Sequence, residues 1–253
     1  MNLKYRSNKI VPIILAAGRG SRMGKLTNKA PKSFVKFGPK KKLIENIIEN
    51  FKKFEFPRIY TITGYQSKKF QKLKHIKIIK NKNWKNTNIV GSLFCADKIL
   101  SNHEAIVSYA DIYYEKEALD ILTQEKKKNC IVLLSYKHWK KYWKKRFKNP
   151  LDDLETFMLD KKKKLIDIGN KPNSYNNIHG QYMGLFKIDQ LAWKKVKSLI
   201  SKDKKKFMKT DITNLFKIIL RKKLFNIYVK EYKNKWFEID NINDYKILNK
   251  SFE

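Results

Sequence analysis

Five short apolar runs mark the first half of the chain: IVPIILAA (10–17), RIYTITGY (58–65), HIKIIKN (75–81), EAIVSYAD (104–111) and CIVLLSY (130–136). Four of the five are almost unbroken in apolar character. A strand with one face in water alternates apolar and polar residues, whereas a strand covered on both faces does not, and a parallel sheet is covered on both faces. The segments between the runs, KLIENIIENFKKF (42–54), IVGSLFCADKIL (89–100) and KEALDILTQEK (116–126), instead carry apolar residues at helical spacing. This alternation predicts an α/β fold built on a single, doubly wound, mostly parallel sheet.

The second half is mixed. TFMLDKKKKLIDIGNK (156–171) reads as a β-hairpin with a lysine turn, and GQYMGLFKI (180–188) and LFNIYVKEY (224–232) read as strands. DQLAWKKVKSLI (189–200) and TDITNLFKIILRKK (210–223) have helical spacing. In WFEIDNINDYKILNK (236–250) strand-like residues run into a helix that Asn241 or Asn243 would cap. There is no internal repeat and no Pro/Gly/Ser-rich linker, so the expectation is one domain over residues 1–253.

Charge is the unusual quantity, because 58 Lys+Arg against 23 Asp+Glu give a formal +35. Such an excess ordinarily points to nucleic acid or an anionic surface. Here it comes mostly as lysine runs, KKKK at 161–164 and KDKKK at 202–206, alongside abundant Asn and Ile, the pattern of AT-rich codons. Nucleic-acid recognition favours Arg and a recognisable reading module, and none is present, so no specific nucleic-acid partner is expected. Cys95 and Cys130 sit in apolar stretches without metal-ligand spacing and read as buried free thiols, which suits a reducing cytoplasm. The positive residues ahead of VPIILAA imitate a secretion signal, but that run is short and leads straight into GRGSR, so it reads as a core strand. No stretch has the apolar length of a membrane span, and a cytoplasmic location is expected.

The chemistry-bearing stretch is LAAGRGSRMGKLTNKAPK, residues 15–32. It follows the first strand, and open parallel sheets bind ligands at the carboxyl ends of their strands. Ala16, Ala17, Gly18 and Gly20 let the backbone come close to a ligand, the loop amides can cradle phosphate oxygens, and Arg22, Lys32 and Arg19 add cations. A G-x-G by itself equally fits a tight turn, and this one is neither the dinucleotide-binding nor the P-loop pattern.

The whole stretch, joining L-A-A-G-x-G-x-R to T-x-x-x-P-K, resembles the signature of nucleotidyltransferases that activate phosphorylated small molecules with an NTP and release pyrophosphate. The resemblance continues in SYADIYY, where Asp111 matches the magnesium aspartate, and in WFEIDN, where Asp240 matches the other metal ligand with Glu238 beside it. Lys171 in GNKPN matches the lysine that holds the acceptor phosphate in the sugar-1-phosphate members, but Asn170 replaces their glutamate and YAD replaces their Gly-Asp. The chain is more similar to cytidylyltransferases of the phosphocholine and phosphonate type, through WKNTNIVGSLFCA (84–96), KRFKNPLDDLETF (145–157), GQYMG and WFEID.

That resemblance implies a GT-A-like, Rossmann-like fold with a small β-rich acceptor-binding subregion. Residues from about 8 to 135 would form the nucleotide-binding half, and about 136 to 253 the acceptor-binding half with the second metal aspartate. It implies Arg22, Lys32 and Lys171 as catalytic residues, and Leu15, Ala16, Ala17, Gly18, Gly20, Gly64, Tyr65, Asn88 and Ser92 around the nucleotide. Asp111, Asp240 and Glu238 would hold Mg²⁺, and Tyr136, Trp139, Asp153, Gln181 and Tyr182 would face the acceptor. The implied partners are CTP and a small phosphorylated or phosphonate acceptor of the phosphocholine, 2-aminoethylphosphonate or phosphoamino-acid class. Oligomeric state stays open, a dimer included.

Two alternatives stand beside this reading: a sugar-1-phosphate nucleotidyltransferase using UTP, dTTP or GTP, and a non-catalytic polyanion binder on the same fold. The aromatic stretch SYKHWKKYWKKRF (135–147) also has two readings. It can cage a quaternary ammonium by cation–π attraction, or it can be a helix face buried in the core.

Overall fold

All five apolar runs of the first half are strands in the computed structural model, which describes residues 10–253; the charged segment 1–9 lies outside the described residues. They are β1 (Ile10–Ala16), β2 (Ile59–Thr63), β3 (Ile76–Lys80), β4 (Glu104–Tyr109) and β5 (Ile131–Tyr136). The second half adds β6 (Tyr182–Ile188) and β7 (Ile227–Tyr232), and the seven form one sheet in the order β7-β5-β6-β4-β1-β2-β3. Pairing is parallel between β1 and both β2 and β4, between β2 and β3, and between β5 and β7. Strand β6 alone runs antiparallel, to both β4 and β5.

The unbroken apolar runs have the expected cause. Every residue of β1 is buried, and successive side chains serve opposite faces: Ile14 joins a core with Ile47, Phe51 and Leu134, while Ile13 and Leu15 join one with Phe186, Trp193 and Phe216. Helices Leu43–Lys52, Glu117–Gln124 and Trp139–Arg146 cover the first face, and Ile89–Phe94, Gln190–Lys202 and Ile212–Arg221 cover the second. The sheet is thus doubly wound. Strand β3, at one edge, is only half-buried and exposes Lys77 and Lys80, charges that discourage pairing with another chain.

From β1 the chain winds outward through β2 and β3, then returns to lay β4 on the other side of β1. The strand order therefore diverges between β1 and β4, and a crevice opens at their carboxyl ends.

Three details go beyond the sequence expectations. The run 104–111 stops at Tyr109, and a short strand, Ile112–Tyr114, follows and pairs antiparallel with Trp236–Glu238. The helix expected over 89–100 is interrupted at Cys95–Ala96 and resumes over Asp97–Leu100. Asn241, rather than Asn243, caps the helix Ile242–Lys250, in a reciprocal capping box with Asp244. The lysine-turn hairpin is present as Phe157–Leu159 paired with Leu165–Ile168. Cys130 is buried and Cys95 half-buried, both free. Among the described residues no helix is long and apolar enough to cross a membrane.

Because Ile14 is fully buried in the central strand, Ile14→Ala should destabilise the fold by about 2–5 kcal/mol through lost transfer energy and a residual cavity. Urea denaturation with an unchanged m-value would read this out.

Candidate active site

A cleft of about 440 Å³ lies at the carboxyl ends of β1 and β4. Its floor is the end of β1 and the turn that follows, Leu15, Ala16, Ala17, Gly18 and Gly20, and its walls include Asn88, Ser92, Trp84 and Tyr109. Gly20 has φ +75°, and a Cβ there would fall 2.6 Å from Cβ of Lys32, so glycine both permits the turn and lets Lys32 cross beneath it. Buried Thr27 donates its hydroxyl to the Gly20 carbonyl at 2.9 Å and fixes the far side of the loop.

Gly64 and Tyr65 support this loop from behind rather than lining the cleft. The Tyr65 amide donates to the Ala17 carbonyl at 3.0 Å, and its hydroxyl donates to the Asn28 carbonyl at 2.6 Å. A Cβ on Gly64 would lie 2.5 Å from Cβ of Trp84 and 2.6 Å from the Ala17 carbonyl oxygen. The Tyr65 ring packs edge-on against Trp84, which does line the cleft. Asn88 accepts the Ile89 amide at the start of the helix Ile89–Phe94, and the Ser92 hydroxyl accepts from Asn81 at 3.2 Å.

At the centre of the cleft the Lys32 ammonium bridges two acids, 2.6 Å from Asp111 Oδ2 and 2.9 Å from Asp240 Oδ1. Arg22, largely exposed, reaches the same Asp240 oxygen at 2.9 Å. The short pairing of Ile112–Tyr114 with Trp236–Glu238 brings the acids together: Glu238 pairs with Ile112, and the Ile239 amide donates to the Asp111 carbonyl at 3.0 Å. Burial alone would lower the Lys32 pKa, but the charges of Asp111 and Asp240 outweigh it and raise it. Burial likewise opposes the ionised form of Asp240, yet Lys32, Arg22 and Arg146 hold its carboxyl below the usual range. Glu238 goes the other way: burial and the neighbouring Asp240 charge push it up against the pull of Arg146.

The donor chemistry fits a small hard cation in part. Asp111 Oδ1 is buried and finds no hydrogen-bond partner among the described residues, and Asp111 and Asp240 both direct an oxygen at one positive charge. Two carboxylates leave most of an octahedron to phosphate oxygens and water, as Mg²⁺ sites commonly do. No group of three or more His, Cys, Asp or Glu poised for a metal occurs among the described residues, and the Glu238 carboxylate lies against Arg146 at 3.2 Å.

The expected acceptor residues are not gathered in the cleft. Lys171 donates to the carbonyls of Leu151 and Asp152, at 2.6 and 2.7 Å, and so fastens the 150–152 turn. Asp153 accepts the Trp143 indole N–H at 2.9 Å, and Gln181 donates to the Glu155 carbonyl at 2.8 Å. Trp139 is buried against Tyr175, and Tyr136 borders a separate cavity with His138 and Tyr142. In the aromatic stretch the rings of Tyr142, Trp143 and Phe147 surround the guanidinium of Arg146, at 5.3, 4.9 and 5.1 Å. Tyr182 stands behind the cleft, its ring edge-on to Tyr109. Gly184, at φ +73°, makes that approach feasible, since a Cβ there would meet the Tyr109 ring at 2.8 Å.

Ser33, Thr87, Ile89, Ala110 and Asp211 also line the cleft but were not singled out from sequence, and neither were Trp84 and Tyr109. Trp84 and Tyr109 lie inside the motif segments WKNTNIVGSL and SYAD. Asp211 carried a signal only as the first acid of TDITNLF, where it caps the helix Ile212–Arg221.

Comparison with known proteins gives the family. Residues 12–171 match the MobA-like NTP transferase domain. The chain is 32% identical to CTP:phosphoglutamine cytidylyltransferase of Campylobacter jejuni, over 93% of this chain and 97% of that protein. Among solved structures, CTP:phosphocholine cytidylyltransferase from Streptococcus pneumoniae has a TM-score of 0.71 at 22% identity, covering 97% of this chain and 100% of that one. The inositol-1-phosphate CTP transferase from T. maritima has a TM-score of 0.73 at 19% identity, covering 94% and 91%. Such distant structures share the fold; the domain match over more than half of the sequence and the full-length relative establish kinship, and the chain is a nucleotidyltransferase belonging to the MobA-like NTP transferase family.

Proposed function

We propose that this enzyme transfers CMP from CTP to a small phosphorylated or phosphonate acceptor and releases pyrophosphate, with a phosphoamino acid as the favoured acceptor class. The observation that carries the reading is the Lys32 ammonium held between Asp111 and Asp240, beside a glycine turn, in the cleft described above. The choice of CTP and of acceptor class rests on the Campylobacter jejuni relative, which is named for CTP and phosphoglutamine. Support also comes from the two indoles of the aromatic stretch: Trp143 lies against Arg146 and Trp139 is buried against Tyr175, so neither is left as an open face for a quaternary ammonium. Asp211, the cleft-lining acid apart from Asp111, Glu238 and Asp240, would pair with an acceptor ammonium.

In the reaction an acceptor phosphate oxygen attacks the α-phosphorus of CTP in line. A new P–O bond forms as the bond from the α-phosphorus to the bridging oxygen breaks, and pyrophosphate carries that electron pair away. The acceptor is already largely ionised near neutral pH, so no general base is required, and catalysis consists of positioning and charge neutralisation. The amides of the 17–20 turn would cradle phosphate oxygens, exposed Arg22 would hold the β- and γ-phosphates, and Lys32 would neutralise charge as it develops. Asp111 and Asp240 would hold Mg²⁺, which when bound supplies charge neutralisation and orientation of the phosphates.

Three measurements test this. Pyrophosphate release with the four NTPs crossed against phosphoglutamine, phosphocholine, 2-aminoethylphosphonate and glucose 1-phosphate should be fastest for CTP with phosphoglutamine. A preference for UTP or dTTP with the sugar would move the enzyme to the sugar-1-phosphate class, and polyanion binding without turnover of any NTP would favour the non-catalytic alternative. Asp111→Asn and Asp240→Asn should each lower kcat by about 10²-fold or more while circular dichroism stays native, and full activity in either variant would remove that residue from the scheme. Gly20→Ala, which drives a methyl into Lys32, should cost about 10²-fold in kcat/KM through misplacement of that ammonium.

A further inference from the structure

Arg146 ends the helix Trp139–Arg146, with its side chain 1% exposed, and has no role in the chemistry above. Its guanidinium meets fully buried Asp244 in a two-point contact, Nε to Oδ1 at 2.8 Å and Nη2 to Oδ2 at 3.1 Å. The same fork reaches two acids of the cleft, Glu238 at 3.2 Å through Nη1 and Asp240 at 3.6 Å through Nη2. Asp244 also accepts the backbone N–H groups of Asp240, at 2.9 Å, and of Asn241, at 3.2 Å. One cation therefore grips Asp240 twice, through its carboxylate and through its backbone by way of Asp244.

A buried guanidinium whose purpose was only to be satisfied would be well served by Asp244 and the surrounding rings. The remaining donors point instead at the acids that line the cleft. Asp240 and Asp244 crowd two carboxylates into one corner beside the Glu238 carboxyl, and without a cation between them their repulsion would turn the Asp240 carboxylate away from Lys32. Lysine could not replace this geometry, because a point charge on a flexible stem does not span three acids as a planar fork does.

We propose that Arg146 is a positioning residue for Asp240: it holds that carboxylate toward the cation site and links the aromatic helix of the second half to the phosphate end of the cleft. The proposal rests on the reading of Asp240 as a cation ligand. The test measures Mn²⁺ binding to the full chain by electron paramagnetic resonance, with CTP present and no acceptor, for wild type, Arg146→Lys, Arg146→Ala and Asp240→Asn. Arg146→Lys should weaken Mn²⁺ binding by about 10-fold or more with an unchanged circular dichroism spectrum. In steady-state assays kcat should fall while KM for CTP changes little. Added guanidinium ion should restore part of both losses in Arg146→Ala. Wild-type Mn²⁺ affinity and kcat in Arg146→Lys would overturn the proposal, and so would a loss in Arg146→Ala that guanidinium does not relieve. Should Arg146→Ala fail to fold, Arg146→Lys decides alone. Undiminished Mn²⁺ binding in Asp240→Asn would instead overturn the reading of Asp240, whereas a loss there beside an intact Arg146→Lys would overturn only the role of Arg146.

Discussion

Two carboxylates and one ammonium at the mouth of the central strands form the constraint on which the rest of this structure turns. Asp111 and Asp240 repel each other wherever they are brought close, and only an intervening positive charge makes the juxtaposition stable. Lys32 supplies it from a third segment. The Pro31 backbone sends the chain out of the glycine loop and into the short turn at Lys32–Phe34, and the missing side chain of Gly20 leaves the path clear for the lysine stem. The glycine in the turn thus serves the charge cluster as well as the opening for a ligand.

The sheet makes this possible through its order. Divergence of the chain between β1 and β4 leaves two adjacent strand ends from which the glycine loop and Asp111 emerge side by side. A ribbon of two three-residue strands then delivers Asp240 from much later in the sequence. Behind it, Arg146 and Asp244 form a buried charge-balanced support, and the aromatic rings of Tyr142 and Trp143 exclude water from it. Each layer neutralises the one in front.

Much of this was legible in the residues, for reasons that are physical. The unbroken apolar runs announced strands covered on both faces, because a side chain in water would have been polar, and all five are strands here. The glycine loop and Lys32 stood out by residue type, because a close backbone approach and a cation suit phosphate, while Asp111 and Asp240 stood out only through the resemblance to nucleotidyltransferases; all of them line one cleft. The acceptor side was not legible. Tyr136, Trp139, Asp153, Gln181 and Lys171 are residues of the right chemistry, but nothing local distinguishes an aromatic that faces a ligand from one that faces the core, or a lysine that holds phosphate from one that ties a turn. The same ambiguity hid Arg146, whose three acidic contacts come from residues remote in sequence.

The ribbon that joins Ile112–Tyr114 to Trp236–Glu238 also bears on how the molecule comes into being. Contacts between segments so widely separated close large loops and gain nothing until most of the chain is arranged. The seven-stranded scaffold can therefore be nearly complete while its charged corner is still open, with Lys32 and Arg146 facing water. Catalytic competence would then arrive as the closing event of folding, and a molecule caught short of it would be a well-formed shell that is inert.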